Sequence, residues 1–253
     1  MATLLWKVHI NSFGLIMLQI IKRYIHSALK KNLVNLRDRF SDPYAIKCYS
    51  QEGEDMILRR VFEGQENGFY IDVGAHHPRR FSNTYYFYKQ GWRGINIEPN
   101  PDALKAFNVD RPRDINLQLG VSDTTSILKY YSFDEPALNT FDESVVKSRL
   151  ADTPYKVIKT KDVAVERLDK ILKEHLSVEQ PIDFLSVDVE GFDLAVLRSN
   201  NWHLFRPKCV LAEALNMTLD EAMKGDLVLF MLAQDYVLFA RTYNTLIFCD
   251  KTI

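Results

Sequence analysis

Two short apolar runs in "FYIDVGAHHPRRFSNTYYFYKQGWRGINIEPN", residues 69–100, each end in an acid, Asp72 and Glu98. Further along, "SVDVEGFD" supplies Asp188 and Glu190, and "VLAEALN" supplies Glu213. Acids just beyond strand ends lie on the edge where open α/β sheets bind ligands. Asp188 and Glu190 share a face only while their strand stays extended. Three carboxylates beyond adjacent strands could bind a hard divalent cation, Mg or Mn, with Asp188 and Glu213 as ligands. Such an ion would polarise a hydroxyl and lower its pKa. Without metal, Asp188 is the first candidate for general base. Of the histidines in the "HHP" turn, whose unperturbed pKa lies near neutrality, His77 is the second candidate. A turn held by side-chain hydrogen bonds is the plainer account of that pair. Glu190 either takes part in catalysis or caps a helix starting near Gly191.

The turn after Asp72 decides which ligand fits. A dinucleotide fingerprint counted from Gly74 needs glycines where His76 and Arg79 stand, and no G-K-[ST] of a P-loop follows. An adenosyl cofactor without phosphates removes that need. One glycine suffices for its turn, and an acid after the second strand can accept both ribose hydroxyl hydrogen bonds. Glu98 fits that role, and Asp72 lies where a carboxylate can approach the positively charged methionine end of S-adenosylmethionine. The bland alternative is that both acids merely terminate strands. Arg79 and Arg80 suit phosphate oxygens of a nucleotide-linked substrate, or form a solvated turn. The run "TYYFYKQGW" is explained by helical packing of Tyr85, Phe87 and Tyr88 more simply than by a sugar-stacking platform.

The elements that must position these residues alternate. Strands are expected at 68–73, 94–98, 115–119, 182–187, 208–212, 236–240 and 245–249. Helical patterns lie between them, which argues a parallel sheet. Asn100 and Pro101 open one helix as cap and first residue. "VERLDKILKEHL" and "LDEAMKGDLVLFMLA" have amphipathic helical spacing, as do residues 52–62. Only "RTYN" separates the last two strands, too short for a parallel crossover, so they form an antiparallel hairpin. Residues 125–165 break the rhythm with "SILKYYSF" and "YKVIKTKDVAV", a β insertion between core strands three and four. The expected fold is α/β and Rossmann-like: seven strands, mostly parallel, with the antiparallel C-terminal hairpin of class I S-adenosylmethionine-dependent methyltransferases.

Composition narrows the class. The 253 residues are 47% apolar and 26% charged, as in globular proteins, and the net charge of −1 gives no electrostatic case for a nucleic-acid partner. Cys48, Cys209 and Cys249 form neither a disulfide framework nor a zinc motif, which fits a reducing cytoplasm. Residues 1–40 stand apart as a basic and apolar, helical segment, with residues 41–253 as the catalytic domain. Its uncharged stretch "VHINSFGLIMLQII" is short of the ~20 residues that span a bilayer. It is expected to pack on the domain or on a homodimer mate, or to make peripheral membrane contact.

The stretches "YSQEGEDMIL", "GFYIDVGAHHPRRFSNTYYFYKQGWRGINIEPNP", "LGVSD" and "DFLSVDVEGFDLAVL", in that order over about residues 49–213, resemble the FkbM family of S-adenosylmethionine-dependent methyltransferases. The form with "GAHHP", "SNT" and "GW.GINIEPNP" is similar to members of bacterial surface polysaccharide, capsule and glycan biosynthesis, mostly sugar O-methyltransferases. The resemblance implies that the cofactor lies against Asp72 and Gly74, with Glu98 on the ribose and Ser122 and Asp123 near the adenine. It also implies Gln51, Glu52, Asp55, Ser82 and Asn83 at the methionine end, Ser82 and Asn83 being equally suited to cap the next helix. His76, Arg79 and Arg80 are the substrate-side candidates. The implied activity is methyl transfer to a sugar hydroxyl. A small natural product such as a polyketide, or a non-catalytic adaptor keeping the fold, stands as the alternative.

Overall fold

The structure, a computed structural model, describes Asp42 and residues 44–177, 179–215 and 217–252. It divides into two compact units, Met1–Lys47 and Cys48–Ile253. Of the first, only Asp42 and residues 44–47 are described, and there the Tyr44 N–H donates to Asp42 Oδ1 at 2.9 Å. The expectations for residues 1–40 lie outside the described residues.

Unit Cys48–Ile253 is built on a seven-stranded sheet. Its strands are β1 (Phe69–Val73), β2 (Arg93–Ile97), β3 (Ile115–Leu117), β7 (Phe184–Val187), β8 (Cys209–Glu213), β9 (Tyr236–Arg241) and β10 (Thr245–Asp250), in the order β3-β2-β1-β7-β8-β10-β9. β1, β2, β3, β7 and β8 pair in parallel, and β10 runs antiparallel between β8 and β9. Each expected strand is present within a few residues, and the hairpin turn is residues 242–244. β1 and β7 are buried on both faces, which is why they read as continuous apolar runs.

Helices cover both faces. On one, α1 (Glu54–Val61) and α2 (Tyr85–Lys89) bury Leu58, Phe87 and Tyr88 with Trp92 against Tyr70 and Phe184. Phe87, Tyr88 and Trp92 of the aromatic run are therefore core, and Tyr85 and Tyr86 pack half-buried against it. α1 begins with Glu54 and Asp55 and ends with Arg59 and Arg60, the order the helix dipole favours. On the other face, α5 (Leu168–His175), α6 (Asp193–Arg198) and α8 (Asp226–Ala233) contribute Leu172, Val196 and Met231 to the larger core. α3 (Pro101–Asp110) starts as expected, the Asn100 side chain accepting from the Asp102 N–H at 3.1 Å.

Residues 219–233 do not form the single helix their spacing suggests. They split into α7 (Leu219–Ala222), opened by a Thr218/Glu221 capping box, and α8, which starts after an extended Gly225. Glycine weakens a helix interior, and here it is the N-cap of the second helix, two residues after Met223 caps the first.

The insertion is a second sheet of three strands, β4 (Gly120–Val121), β5 (Ser126–Phe133) and β6 (Val157–Glu166), in the order β4-β6-β5. Between β5 and β6 lie a 3-10 turn (Pro136–Leu138) and α4 (Glu143–Asp152). No helix among the described residues is long and apolar enough to cross a membrane.

Candidate active site

The chain leaves β1 for β2 on one side and returns to β7 on the other, so a crevice opens beyond the strand ends at this reversal. It holds a cavity of about 360 Å³. One wall carries Asp72, Gly74, His76 and Glu98 with Leu119–Val121. The facing wall carries Ser186, Asp188, Glu190 and Glu213, and the insertion supplies a roof through Tyr130, residues 135–139, Phe141 and Arg149. Gln51, Asn83 and Asn244 complete the rim.

Gly74 has φ +77, and a Cβ on it would stand 1.8 Å from the Asp188 carbonyl oxygen. Only glycine lets the first wall approach the second so closely. His76 and Glu190, neither a glycine, also have positive φ, 52° and 53°, one on each wall. Such backbone strain persists only where surrounding contacts fix it.

The carboxylates of the first wall are held by donors. Glu98 Oε2 accepts from the His76 N–H at 2.9 Å, and Oε1 accepts from the Asn100 N–H at 2.8 Å and from the Tyr130 hydroxyl at 3.5 Å. Burial nonetheless pushes the Glu98 carboxyl up to about 7. Asp72 Oδ2 accepts from the Thr84 hydroxyl at 2.8 Å; burial raises its pKa while the nearby Arg111 guanidinium opposes the rise.

The second wall is different in kind. Carboxylate oxygens of Asp188, Glu190 and Glu213 lie within 4.8 Å of one another, with Asp188 the most open to the cavity. Arg149, from α4, donates to Glu190 Oε2 and, at 2.6 Å, to the Leu138 carbonyl. Desolvation by the protein atoms crowded around the crevice, then repulsion from Glu190, drives the Asp188 pKa well above the usual carboxylate range although the residue is exposed to the cavity. Burial and Asp188 do the same to Glu213. Behind them, Asp193 accepts from the Glu213 N–H at 3.1 Å and is pushed up to about 7, chiefly by burial. Protons or a cation must offset this charge. The group is therefore ready to accept hydrogen bonds from hydroxyls or to take up a proton.

Several expected residues lie elsewhere. His77 does not line the cavity; its Nδ1 accepts from the Arg79 and Arg80 N–H groups, both at 3.0 Å, so it holds the turn. His76 does line it, with a buried Nε2 that has no partner, and burial with Arg80 lowers its pKa to about 4. That ring stays neutral and is a poor base at neutral pH. Ser82 is buried, accepts from the Tyr85 N–H at 3.1 Å and so serves α2, whereas Asn83 donates to Ser186 Oγ at 3.0 Å and faces the cavity. Asp55 is fully buried, bonded to the Tyr49 N–H and Arg59 at 3.1 and 2.8 Å, and outside the lining.

Glu52 instead grips the hairpin turn through Thr242 and Asn244, at 2.9 and 2.7 Å. Ser122 and Asp123 follow the lining residue Val121 without reaching the cavity. Arg79 pairs with Asp110 at 2.8 Å, away from the cavity, whereas Arg80 does line it, as expected, and forms two hydrogen bonds to Glu135, 3.0 and 3.2 Å, fastening the turn to the roof. Glu190 caps no helix, because α6 begins three residues later behind Phe192 and its carboxylate is taken by Arg149.

Arg149, Tyr130 and Asp193 carried no recognisable signal in the sequence. Arg149 sits in a helix of an irregular insertion, and the other two look like ordinary strand and helix residues.

Three solved structures are similar in part. A TehB-like SAM-dependent methyltransferase from Corynebacterium glutamicum ATCC 13032 is 12% identical at TM-score 0.38, covering 89% of this chain and 97% of its own. The C-terminal domain of precorrin-6Y C5,15-methyltransferase from Rhodobacter capsulatus is 13% identical at TM-score 0.38, covering 83% and 91%. An O-methyltransferase from Bacillus cereus in complex with SAH is 11% identical at TM-score 0.37, covering 88% and 89%. No curated protein matches the chain. The model of the methyltransferase FkbM domain matches residues 72–238, from the acid that ends β1 to the middle of β9, and the chain belongs to that family.

Proposed function

We propose that the protein is an S-adenosylmethionine-dependent O-methyltransferase acting on a sugar hydroxyl, in a nucleotide-activated or glycan-linked saccharide. The observation that carries this reading is the crevice itself. A single obligatory glycine, Gly74, lies between acids ending β1 and β2, with no pyrophosphate-binding glycines and a cavity of about 360 Å³. Ligand pockets run from ~300 to ~1,000 Å³. The residues fit the cofactor. Glu98 is a buried carboxylate with lone pairs left for ribose hydroxyls, and the orphaned His76 Nε2 is a further polar group in the same wall.

When bound, S-adenosylmethionine supplies an electrophilic methyl group on its sulfonium. Glu98 then fixes the ribose, and Asp72 and Gln51 face the charged methionine end. Asp188, open to the cavity, takes the proton from the acceptor hydroxyl in its ionised form, which the positive charge of the bound cofactor favours over the protonated form that its surroundings otherwise stabilise. Glu213 and the Arg149-bound Glu190 accept hydrogen bonds from neighbouring hydroxyls, which suits a polyol better than an apolar acceptor.

A second reading adds a divalent cation at Asp188 and Glu213, favoured by the closeness of the three carboxylates. Calorimetric titration with S-adenosylhomocysteine, run with EDTA and with added magnesium or manganese, tests the cofactor; methyl transfer to a panel of nucleotide sugars then tests the acceptor. Binding followed by transfer to a sugar supports the proposal. Transfer only to small natural-product hydroxyls moves the acceptor class. Absence of binding by folded protein leaves an adaptor. Turnover lost in EDTA and restored by magnesium selects the cation.

A further inference from the structure

Beneath the first wall lies a buried polar chain that touches the cavity at one point, Asp72. Arg111 is wholly buried, an unusual place for a guanidinium unless every donor is engaged. Its Nε donates to Asp114 Oδ2 at 2.9 Å, Nη2 to the Tyr70 hydroxyl at 2.7 Å, and Nη1 to Thr84 Oγ1 at 2.9 Å. Asp114 is further fixed by the Tyr70 hydroxyl, the Asn96 side chain and the Gly94 N–H, at 2.7, 3.0 and 3.0 Å. The Arg111–Asp114 pair is thus self-sufficient, and the contact to Thr84 is left over from it.

That leftover contact has one possible sense. A guanidinium can only donate, so Thr84 Oγ1 must accept from it; the Ser82 hydroxyl, 3.2 Å away and itself reached by Arg111 Nη1 at 3.4 Å, can donate to the second lone pair, and the Thr84 proton goes to Asp72 Oδ2 at 2.8 Å. Asp72 therefore receives a hydrogen bond polarised by a buried cation. Thr84 itself is fully buried and does not line the cavity, so it can act on a ligand only through Asp72.

We infer that Thr84, polarised by Arg111, is a positioning residue that holds Asp72 as a fixed acceptor for the ammonium-bearing methionine end of the cofactor. This rests on the proposed S-adenosylmethionine site. It separates two jobs that the first wall performs: Glu98 answers to the ribose, and the Arg111–Thr84–Asp72 chain answers to the amino-acid end.

The test compares two probes by calorimetry at pH 7.5: S-adenosylhomocysteine, which carries the amino-acid end, and 5′-methylthioadenosine, which lacks it. The proteins are the full chain, Thr84→Ser, Thr84→Val, Asp72→Asn and Thr84→Val/Asp72→Asn, with Thr84→Ala replacing Thr84→Val if the valine variant does not fold. Thr84→Val is expected to weaken S-adenosylhomocysteine about tenfold or more, the effect of losing a hydrogen bond to a charged group. Thr84→Ser, which restores the hydroxyl, is expected within about threefold of the parent, and methylthioadenosine is expected to be unaffected throughout. In the Asp72→Asn background, Thr84→Val adds nothing. Equal weakening of both probes, unchanged S-adenosylhomocysteine affinity in Thr84→Val, or additive effects in the double variant overturn the inference while leaving the cofactor site standing. Failure of the parent protein to bind S-adenosylhomocysteine sinks both.

Discussion

The two walls of the crevice each present carboxylates, yet they differ in how those acids are supplied with donors. On the β1–β2 side, Glu98 takes two backbone N–H groups and Asp72 a hydroxyl backed by Arg111. On the β7–β8 side, one arginine, Arg149, faces a group of three carboxylates with Asp193 behind them. Donors fix a carboxylate as an acceptor and hold it still; their scarcity leaves it hungry for a proton. The first wall is thereby suited to binding and the second to proton transfer, although both are made of the same two residue types at the same sheet edge.

Asp188→Asn should break this division most severely. Methyl transfer to an accepted sugar should fall by ~10²–10⁴, the range of a general base, while S-adenosylhomocysteine affinity measured by calorimetry stays within about twofold. Near-normal turnover in that variant would remove Asp188 from the reaction. Glu98→Gln should do the converse. The amide cannot accept from both the His76 and Asn100 N–H groups, so affinity should drop roughly 10–100-fold. Turnover at saturating cofactor should stay closer to the parent.

A pH scan sharpens the contrast by a smaller effect. Glu98 and Asp193, each pushed up to about 7 by burial, hold protons more tightly in the folded chain than in the unfolded one. Their contribution to stability is full below the ordinary carboxylate range and disappears as pH rises through about 7. His76, lowered to about 4, opposes this between its folded and ordinary values, but as one group against several acids. The melting temperature of the ligand-free protein should therefore be higher at pH 5.5 than at pH 8, and Asp193→Asn should flatten the slope. A melting temperature that rises with pH over that interval would mean the acids are better solvated or paired than the geometry indicates. The smallest effect is expected from Glu135→Gln. Partly exposed ion pairs contribute ~0.2–1 kcal/mol, so stability should barely change, and any loss should appear in acceptor KM through loosening of the roof.

Much of this was legible because the main sheet obeys local rules. β1 is a short apolar run with Asp72 as its last residue but one, β7 is another with Asp188 directly behind it, Asn100–Pro101 writes a helix start, and a short link between two strands forces a hairpin. The carboxylate positions followed from those strand ends. Side-chain direction did not follow. His77 and Ser82 lie beside lining residues in the chain, but backbone N–H groups needed an acceptor at each place and took them. Asp55 reads like its neighbour Gln51, yet a helix turn carries it into the interior. Arg149 and Arg111 reach the site from 41 and 27 residues away in sequence, to Glu190 and Thr84, and no local pattern marks such contacts. The break at Gly225 was a weak signal overruled by the apolar spacing around it.

The roof is joined to the main sheet at both of its ends. It enters from β3 through a two-residue link into β4, and it leaves from β6 into α5 across Arg167, whose guanidinium is bonded to the Asp123 and Ser199 carbonyls, both at 3.0 Å. Leu119–Val121, at the entry, are wall as much as roof. Anyone grafting a new acceptor preference onto this scaffold should therefore leave β4, β5 and β6 in place and exchange only the segment between β5 and β6, residues 134–156. That segment brings Pro136, Asn139, Phe141, Arg149 and Tyr155 to the cavity, and keeping Glu135 within it preserves the Arg80 pair that fastens the turn after β1 to the roof.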